Sequence, residues 1–319
     1  MNFNFLLALK GLAMGMAEVV PGVSGGTIAF ITGIYQRLID AIKSFDLEAL
    51  KLLGKGKFKQ LWTKIDGAFI ITLAMGMVAG IVTGIFTISY LLEEHPLQIW
   101  GFFFGLIVSS SFLVLRQVKA WNAVNVISLL VGTAVAYFIT VANPGQENDQ
   151  LWFVFISGVI AISALLLPGL SGSFILLLMG MYTLILPSAK AAISEQDPQA
   201  ALIIGVFGLG CVVGVLSFSR VLSWAFKKFP NPTLALLTGF LLGSLNKVWP
   251  WQQVTTTRIN SKGIEVVGSS KSILPNTFES LASNFNYGND AMVGAVITCM
   301  VLGFGIVLLI DVLGKKIAK

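Results

Sequence analysis

Two short runs of serine, glycine and threonine, one in each half of the chain, carry groups suited to binding an anion. The runs are Ser24, Gly25, Gly26 and Thr27, and Ser171, Gly172 and Ser173. Each follows a Pro-Gly pair and precedes apolar residues, so each predicts the start of a helix. The first N–H groups of a helix lack intrahelical partners and carry the positive end of its dipole. We therefore predict that these residues bind an anionic group.

Glu18 and Arg220 are charged residues within apolar runs. A carboxylate at membrane depth is costly, so Glu18 is a candidate for proton exchange. The alternative is a protonated Glu18 that only hydrogen-bonds the broken backbone. Arg220 stands near one end of its apolar run, where it either pairs with a phosphate group or extends its head group to the interface.

The elements that position these residues form a repeat. The segment AEVVPGVSGGTIAFITGIY, residues 17–35, recurs without a gap as ALLLPGLSGSFILLLMGMY, residues 164–182. Helix breaks are expected at Pro21 and Gly22 and at Pro168 and Gly169, because proline lacks the N–H and glycine tolerates unusual backbone angles. Paired broken helices in two halves indicate a transporter's binding site at the midplane. The alternative is a pair of kinked spanning helices.

The composition is that of a membrane protein. The 319 residues are 55% hydrophobic and 11% charged, and the mean hydropathy is +0.85. A soluble globule of this size needs more polar surface. The net charge of +6 resides in short loops, where it sets topology rather than binding nucleic acid. Cys211 and Cys299 lie in apolar runs and indicate neither a disulfide nor a metal site, and no cofactor is expected.

The predicted fold is an all-α polytopic membrane protein with two inverted-topology repeats. Each repeat has one re-entrant broken-helix hairpin and three transmembrane helices, since about 20 apolar residues cross the bilayer. The first repeat, 1–145, has its hairpin at about 3–42 and spans at 67–92, 97–115 and 122–142. The second repeat, 146–319, has its hairpin at about 151–186, spans at 201–226, 233–249 and 292–313, and an external insertion at 250–290.

Positive charges predict the orientation. Sixteen of the Lys and Arg residues fall on one side in this topology, which makes that side and both termini cytoplasmic. The charge pattern does not distinguish re-entrant hairpins from fully spanning ones. The polar insertion suggests a short hairpin about 261–263 and a helix near 276–283. Gly76, Gly80 and Gly84 lie four apart and predict close helix packing.

The paired motifs resemble those of the bacterial polyprenyl-phosphate transporter family, over nearly the whole chain. The resemblance implies return of undecaprenyl phosphate from the outer to the inner leaflet of the bacterial cytoplasmic membrane, for reuse as the cell-wall lipid carrier. It implies functional roles for Glu18 and for the segments 21–27 and 168–173. The second copy differs from the first at two of these positions, where Leu165 replaces Glu18 and Phe174 replaces Thr27. These differences argue against two equivalent sites.

Two other functions remain open. Undecaprenyl pyrophosphate phosphatases have similar broken hairpins, and their P-G-x-S-R-S motif resembles PGLSGS. Gly172 stands at the arginine position here, so the charge that stabilises phosphoryl transfer is missing. A small-anion carrier or channel is the other alternative.

Inward movement of a negative charge against an inside-negative potential costs about 2.3 kcal/mol per 100 mV. We therefore expect proton coupling through Glu18.

Overall fold

The computed structural model describes residues 4–19, 24–142, 145, 147–259, 265–281 and 290–317. The first predicted helix break, at Pro21 and Gly22, lies outside these residues, as does the predicted turn at 261–263.

The described chain is mainly helical. The helices of the first half are α1 Phe5–Glu18, α2 Gly25–Ile31, α3 Tyr35–Lys43, α4 Leu47–Gly54, α5 Phe58–Lys64, α6 Gly67–Glu94, α7 Pro96–Leu115 and α8 Ala123–Val141. The second half contains α9 Leu151–Leu166, α10 Gly172–Leu178, α11 Tyr182–Ser194, α12 Pro198–Lys228, α13 Pro230–Ser244, β1 Gln252–Ile259, β2 Glu265–Ser272, α14 Pro275–Glu279 and α15 Val293–Ile317. Each predicted span therefore corresponds to a helix.

Four helices in the described residues are long and apolar enough to cross a membrane, namely α6, α7, α8 and α12. A fifth span results if α10 and α11, which meet at a bend of 110°, are taken together. The apolar parts of α9 and α15 are shorter. These helices establish a polytopic membrane protein.

Helix α13 is shorter than the predicted span 233–249. It ends at Ser244 and has 15 residues, or about 22 Å at 1.5 Å per residue. The chain turns toward the β-strands instead of continuing the helix. The indole of Trp249 anchors this turn by donating to the carbonyl oxygen of Ile273 at 2.8 Å.

Glycines bring four pairs of helices into backbone contact. A Cβ atom at Gly76 or Gly80 of α6 would collide with the carbonyl oxygen of Ala8 or Leu12 in α1. At Gly84 it would lie 3.1 Å from the Cα of Met16. The predicted close-packing face of α6 is therefore confirmed. Glycines serve the other pairs in the same way, with Gly210 in α12 against α9, Gly105 in α7 against α15, and Gly239 in α13 against α8.

The helix pairs follow a pattern across the two halves. Within each half, the first helix packs along the long helix after the hairpin, α1 with α6 and α9 with α12. The remaining helices exchange partners between the halves, so that α7 pairs with α15 and α8 pairs with α13. The two halves are therefore interlocked.

The insertion after α13 is the one departure from an all-helical fold in the described residues. Strands β1 and β2 pair antiparallel, with Gln252 opposite Ser272 and Ile259 opposite Glu265. The register shifts between Val254 and Thr257. The predicted helix near 276–283 is observed only as α14, and residues 282–289 lie outside the described part. A two-stranded hairpin needs support to be stable, and Trp251 and Phe278 supply it because both are buried against the end of α15.

Candidate functional site

The two hairpins meet where each changes direction. The Ser24 hydroxyl donates to the carbonyl oxygen of Leu165 at 3.2 Å, and the Tyr35 hydroxyl donates to that of Leu166 at 2.6 Å. In the opposite direction, the N–H of Gly169 donates to the hydroxyl of Thr27 at 2.9 Å. Three hydrogen bonds therefore join the starts of α2 and α3 to the end of α9 and the break that follows it.

The side chains that make these bonds are buried. Ser24 is 0% and Thr27 is 1% exposed. Buried polar groups are costly unless they are hydrogen-bonded, so each of these bonds fixes the relative position of the hairpins. The structure thus brings the first predicted anion-binding run against the second hairpin.

The N-terminus of α2 is closed by the protein's own groups. The Glu18 carboxylate accepts from the Gly25 N–H at 2.7 Å, and the Ser24 hydroxyl accepts from the Gly26 N–H at 3.1 Å. The Thr27 N–H donates to the carbonyl oxygen of Ser24 at 2.9 Å. Glu18 and Ser24 therefore satisfy the first N–H groups of α2 in this structure.

No described ion pair neutralises Glu18. The ion pairs in the described residues join Arg37 to Asp66 and Lys64 to Asp46 and Glu48. The charge of Glu18 is instead opposite the positive end of the α2 dipole. At the other end of α2 the Lys10 ammonium donates to the carbonyl oxygen of Thr32 at 2.7 Å. The short helix thus has an acidic group at its start and a basic group at its end, both from α1.

The N-terminus of α10 is built differently. The Ser171 hydroxyl accepts from the Phe174 N–H at 3.4 Å and lies 3.0 Å from the Ser173 hydroxyl. The N–H groups of Gly172 and Ser173 have no hydrogen-bond partner among the described residues. For Gly172 the physical reason is that Leu165 provides no carboxylate where the first copy has Glu18. For Ser173 the reason is that the Ser171 hydroxyl accepts from Phe174, whereas the Ser24 hydroxyl accepts from Gly26. The second run is therefore the more open of the two.

The second helix break lies at Pro168 and Gly169, as predicted. Gly169 has φ +84°, and a Cβ atom there would lie 2.7 Å from the carbonyl oxygen of Phe240 in α13. Only glycine fits both the backbone angle and the close contact. This geometry directs the Gly169 N–H toward Thr27. The corresponding residues of the first copy are not described.

Arg220 lies apart from the hairpin turns in its described contacts. Its guanidinium donates to the carbonyl oxygens of Leu216, in its own helix, and Phe45, between α3 and α4, at 2.5 and 3.4 Å. One turn further along α12, the hydroxyl of Ser223 donates to Asp40 at 2.9 Å and accepts from Lys43 at 3.2 Å. Arg220 therefore links α12 to the segment between α3 and α4, and Ser223 links α12 to α3.

Tyr35 was not among the residues that the sequence predicted for the site. The side chain is buried, 3% exposed, and its hydroxyl crosses to the second hairpin. The available signal was its place in the repeat, where Tyr182 is its counterpart. A buried tyrosine normally finds a partner for its hydroxyl.

Comparison with known proteins identifies the family. The profile of the VCA0040-like, undecaprenyl phosphate translocase-like family matches residues 14–266. A polyprenyl-phosphate transporter of Vibrio cholerae is 45% identical over 283 residues, which cover 88% of this chain and 90% of that protein. A polyprenyl-phosphate transporter of Staphylococcus aureus is 30% identical over 262 residues, 78% of this chain and 87% of that protein. No solved structure matches the chain significantly. The chain therefore belongs to the VCA0040-like, undecaprenyl phosphate translocase-like family.

Proposed function

We propose that the chain carries undecaprenyl phosphate from the outer to the inner leaflet of the bacterial cytoplasmic membrane, with net movement coupled to protons. Transport of a polyprenyl phosphate is supported by the two relatives, whose names state that activity. The lipid chain length, the direction and the coupling are our proposals. The protein acts as a carrier and not as an enzyme in this account.

One observation carries the proposal, which is that Ser24 and Thr27 of the first run make hydrogen bonds to Leu165 and Gly169 of the second hairpin, a few residues before the second run. A phosphate cannot enter hydrocarbon without replacing its water, because an unpaired ion costs tens of kcal/mol there in the Born limit. The hydroxyl and N–H donors of the two runs replace that water. The binding set is Ser24, Gly25, Gly26, Thr27, Ser171, Gly172 and Ser173.

Glu18 gives this site a means of coupling. While ionised, it occupies the Gly25 N–H and opposes a second anion. Protonation removes that charge, so the head group can replace the carboxylate at the start of α2. Release of the proton on the other side restores the hydrogen bond and expels the phosphate. Each cycle then carries a proton with the lipid and offsets one of its charges.

The proposed topology has two inverted repeats, with the hairpins entering from opposite sides and both termini in the cytoplasm. The exchanged pairing of α7 with α15 and α8 with α13 supports this arrangement. It places both hairpins around one shared site, as in other repeat transporters. The prenyl chain remains in the lipid through a lateral opening.

Translocation of labelled undecaprenyl phosphate in proteoliposomes tests the function. We expect wild type to move the lipid, and the Ser24→Ala, Ser171→Ala double variant to lose most of this rate. Ser217→Ala is the matched control, because Ser217 is exposed and bonds only to its own helix. A double variant as active as wild type would show that the phosphate binds elsewhere.

The same preparation separates the other functions. A small-anion carrier would move inorganic phosphate without needing the prenyl chain. A phosphatase would release phosphate from undecaprenyl pyrophosphate. Either result, in the absence of lipid movement, would contradict the proposed function.

A further inference from the structure

A polar cavity lies beside the second hairpin, at the end of the molecule that carries β1 and β2. Its volume is about 360 Å³, within the range of about 300–1,000 Å³ found for small-molecule sites. The ends of α8 and α10, the segment after α13 and the two strands form its walls. The charge pattern predicts that this end faces outward.

Two lysines and no acidic residue are found among the described residues that line the cavity. The ammonium of Lys247 makes no hydrogen bond or ion pair with a described residue, although it lies 4.7 Å from the centre of the Phe174 ring. Lys271, on β2, is exposed and likewise has no described ion pair. A partly buried ammonium without a carboxylate is costly, and the aromatic ring offsets only part of that cost. The cavity therefore favours an anion.

The wall beside Lys247 is held in place. The amide of Asn246 donates to the Thr140 hydroxyl of α8 at 2.7 Å, and the Ser272 hydroxyl donates to the Asn246 side chain at 2.9 Å. The side chain of Gln252 donates to the carbonyl oxygen of Lys247 at 2.8 Å. These bonds join α8, the segment after α13 and both strands, so the backbone that carries Lys247 is held in place before a ligand arrives.

The cavity also has an apolar side that opens onto lipid. Tyr137 and Val141 line it, and they are 47% and 49% exposed on the outer face of α8. Because α8 is apolar and long enough to span the membrane, that face contacts hydrocarbon. An amphiphile can place its anionic head at Lys247 while its chain stays in the bilayer. A free anion without a hydrocarbon chain would make no favourable contact with this apolar wall.

The cavity adjoins the proposed binding set. Phe174, whose ring lies under Lys247, also donates its N–H to the hydroxyl of Ser171. Phe174 stands where the first copy has Thr27. The second copy therefore lacks that hydroxyl and has instead an aromatic ring that contacts the Lys247 ammonium. A head group at Lys247 is therefore next to the first turn of α10.

We propose that this cavity is an outer receiving site for a lipid phosphomonoester, with Lys247 as its charge partner. The inference rests on the proposed function and adds a step to it. The head group binds here first and then passes to the hairpin turns. Lys247 and Lys271 attract the phosphate, and the face of α8 accommodates the chain.

Binding of a short polyprenyl phosphate to the full-length protein in nanodiscs tests this site. We expect Lys247→Gln to weaken binding at least about tenfold, since a charge-assisted bond is lost, and Lys247→Arg to retain most of it. Lys190→Gln is the matched control, because Lys190 is exposed on α11 and outside the cavity. Thermal unfolding of each variant establishes that it is folded.

Two further arms identify the ligand. Polyprenol should bind poorly because it lacks the charge, and inorganic phosphate should bind poorly because it lacks the chain. Equal affinity for inorganic phosphate would overturn the lipid assignment. Amine-reactive labelling gives a second readout, in which polyprenyl phosphate should protect Lys247 and not Lys190.

Failure of this inference is distinguishable from failure of the proposed function. If wild type translocates the lipid while Lys247→Gln binds it unchanged and Lys247 is not protected, the receiving site is refuted alone. If wild type does not translocate the lipid, the proposed function fails whatever happens at Lys247.

Discussion

Single side chains join the two hairpins, and Thr27 makes the most direct of these contacts. Its hydroxyl is the acceptor for the Gly169 N–H. Removing the acceptor leaves a buried N–H unpaired, which costs about 1–3 kcal/mol. We expect Thr27→Val to lower the free energy of unfolding by this amount and Thr27→Ser to restore it. Thermal unfolding in detergent measures both. A Thr27→Val protein as stable as wild type would mean that this bond does not hold the hairpins together.

A substitution at Gly169 tests the backbone geometry of the second helix break. Alanine at φ +84° is strained, and its Cβ would lie 2.7 Å from the carbonyl oxygen of Phe240. We expect Gly169→Ala to destabilise the protein by at least about 1–3 kcal/mol. Gly205→Ala in α12 is the control, because nothing lies within 4 Å of a Cβ atom there. Equal stability of the two variants would contradict the described geometry.

At the scale of elements, close glycine contacts decide which helices pair. A side chain at Gly80 would strike the backbone of α1 at Leu12 and push α1 away from α6. We expect Gly80→Val to reduce the yield of folded protein sharply. Gly208→Val in α12 is the control, because it is the same substitution at a position where no atom lies within 4 Å of an added Cβ. We expect this variant to be tolerated. Size-exclusion profiles of both variants provide the comparison, and a normal profile for Gly80→Val would refute the pairing.

Helix α4 provides a pH prediction outside the membrane. The hydrogen bond from the Ala49 N–H, with Lys64 3.1 Å away, holds the pKa of Asp46 below its usual value. Such a carboxyl stabilises the fold above its unfolded pKa and loses this effect as the pH falls through its folded pKa. We expect the amides of α4 to lose exchange protection below about pH 4. Asp46→Asn keeps a capping oxygen without a titrating group and should abolish this pH dependence.

The helices and their repeat could be predicted from sequence because apolar length and recurring motifs are local signals. Most of the predicted spans agree with helices to within a few residues. The early end of α13 was not predictable, since the apolar run continues through Val248 and only the tertiary contact of Trp249 turns the chain. The predicted hairpin about 261–263 agrees with the pairing of β1 with β2, but the length of β1 was not predictable, because Gln252–Ile259 is largely polar.

The site was predictable in part. The two runs were recognisable as Ser-Gly motifs after Pro-Gly, and the structure joins the first run to the second hairpin through Ser24 and Thr27. A hydrogen bond from the broken backbone to Glu18 was one of the two interpretations of that residue, but Gly25 as its donor was not predictable, because this bond depends on how the chain folds back across the break. Lys247 had no sequence signal beyond being a lone basic residue after an apolar run. Lys247 lines a cavity only because the fold places β1, β2 and the end of α8 around it.

At the scale of the whole molecule, the distribution of positive charges predicts which parts reach each side of the membrane. After both native cysteines are replaced, we expect Lys57→Cys to react with an impermeant reagent from the cytoplasm and Ser280→Cys from outside. Leu167→Cys, beside the second break, should react from neither side, because the break lies within the protein. Ready labelling of Leu167→Cys from water would overturn the re-entrant hairpin.

The central claim is that Glu18 couples proton movement to lipid movement at the meeting point of the hairpins. Glutamine at this position keeps an oxygen for the Gly25 N–H and loses the exchangeable proton. The exposed Glu48→Gln is the control for the chemical change.

The most direct measurement is translocation of undecaprenyl phosphate into proteoliposomes with an imposed pH gradient, acidic outside. For wild type and Glu48→Gln we expect the gradient to accelerate net inward movement. For Glu18→Gln we expect unchanged lipid binding and no acceleration, because the carrier can no longer offset the charge, which costs about 2.3 kcal/mol per 100 mV. A gradient-independent wild type, or a Glu18→Gln protein that responds like wild type, would contradict the account.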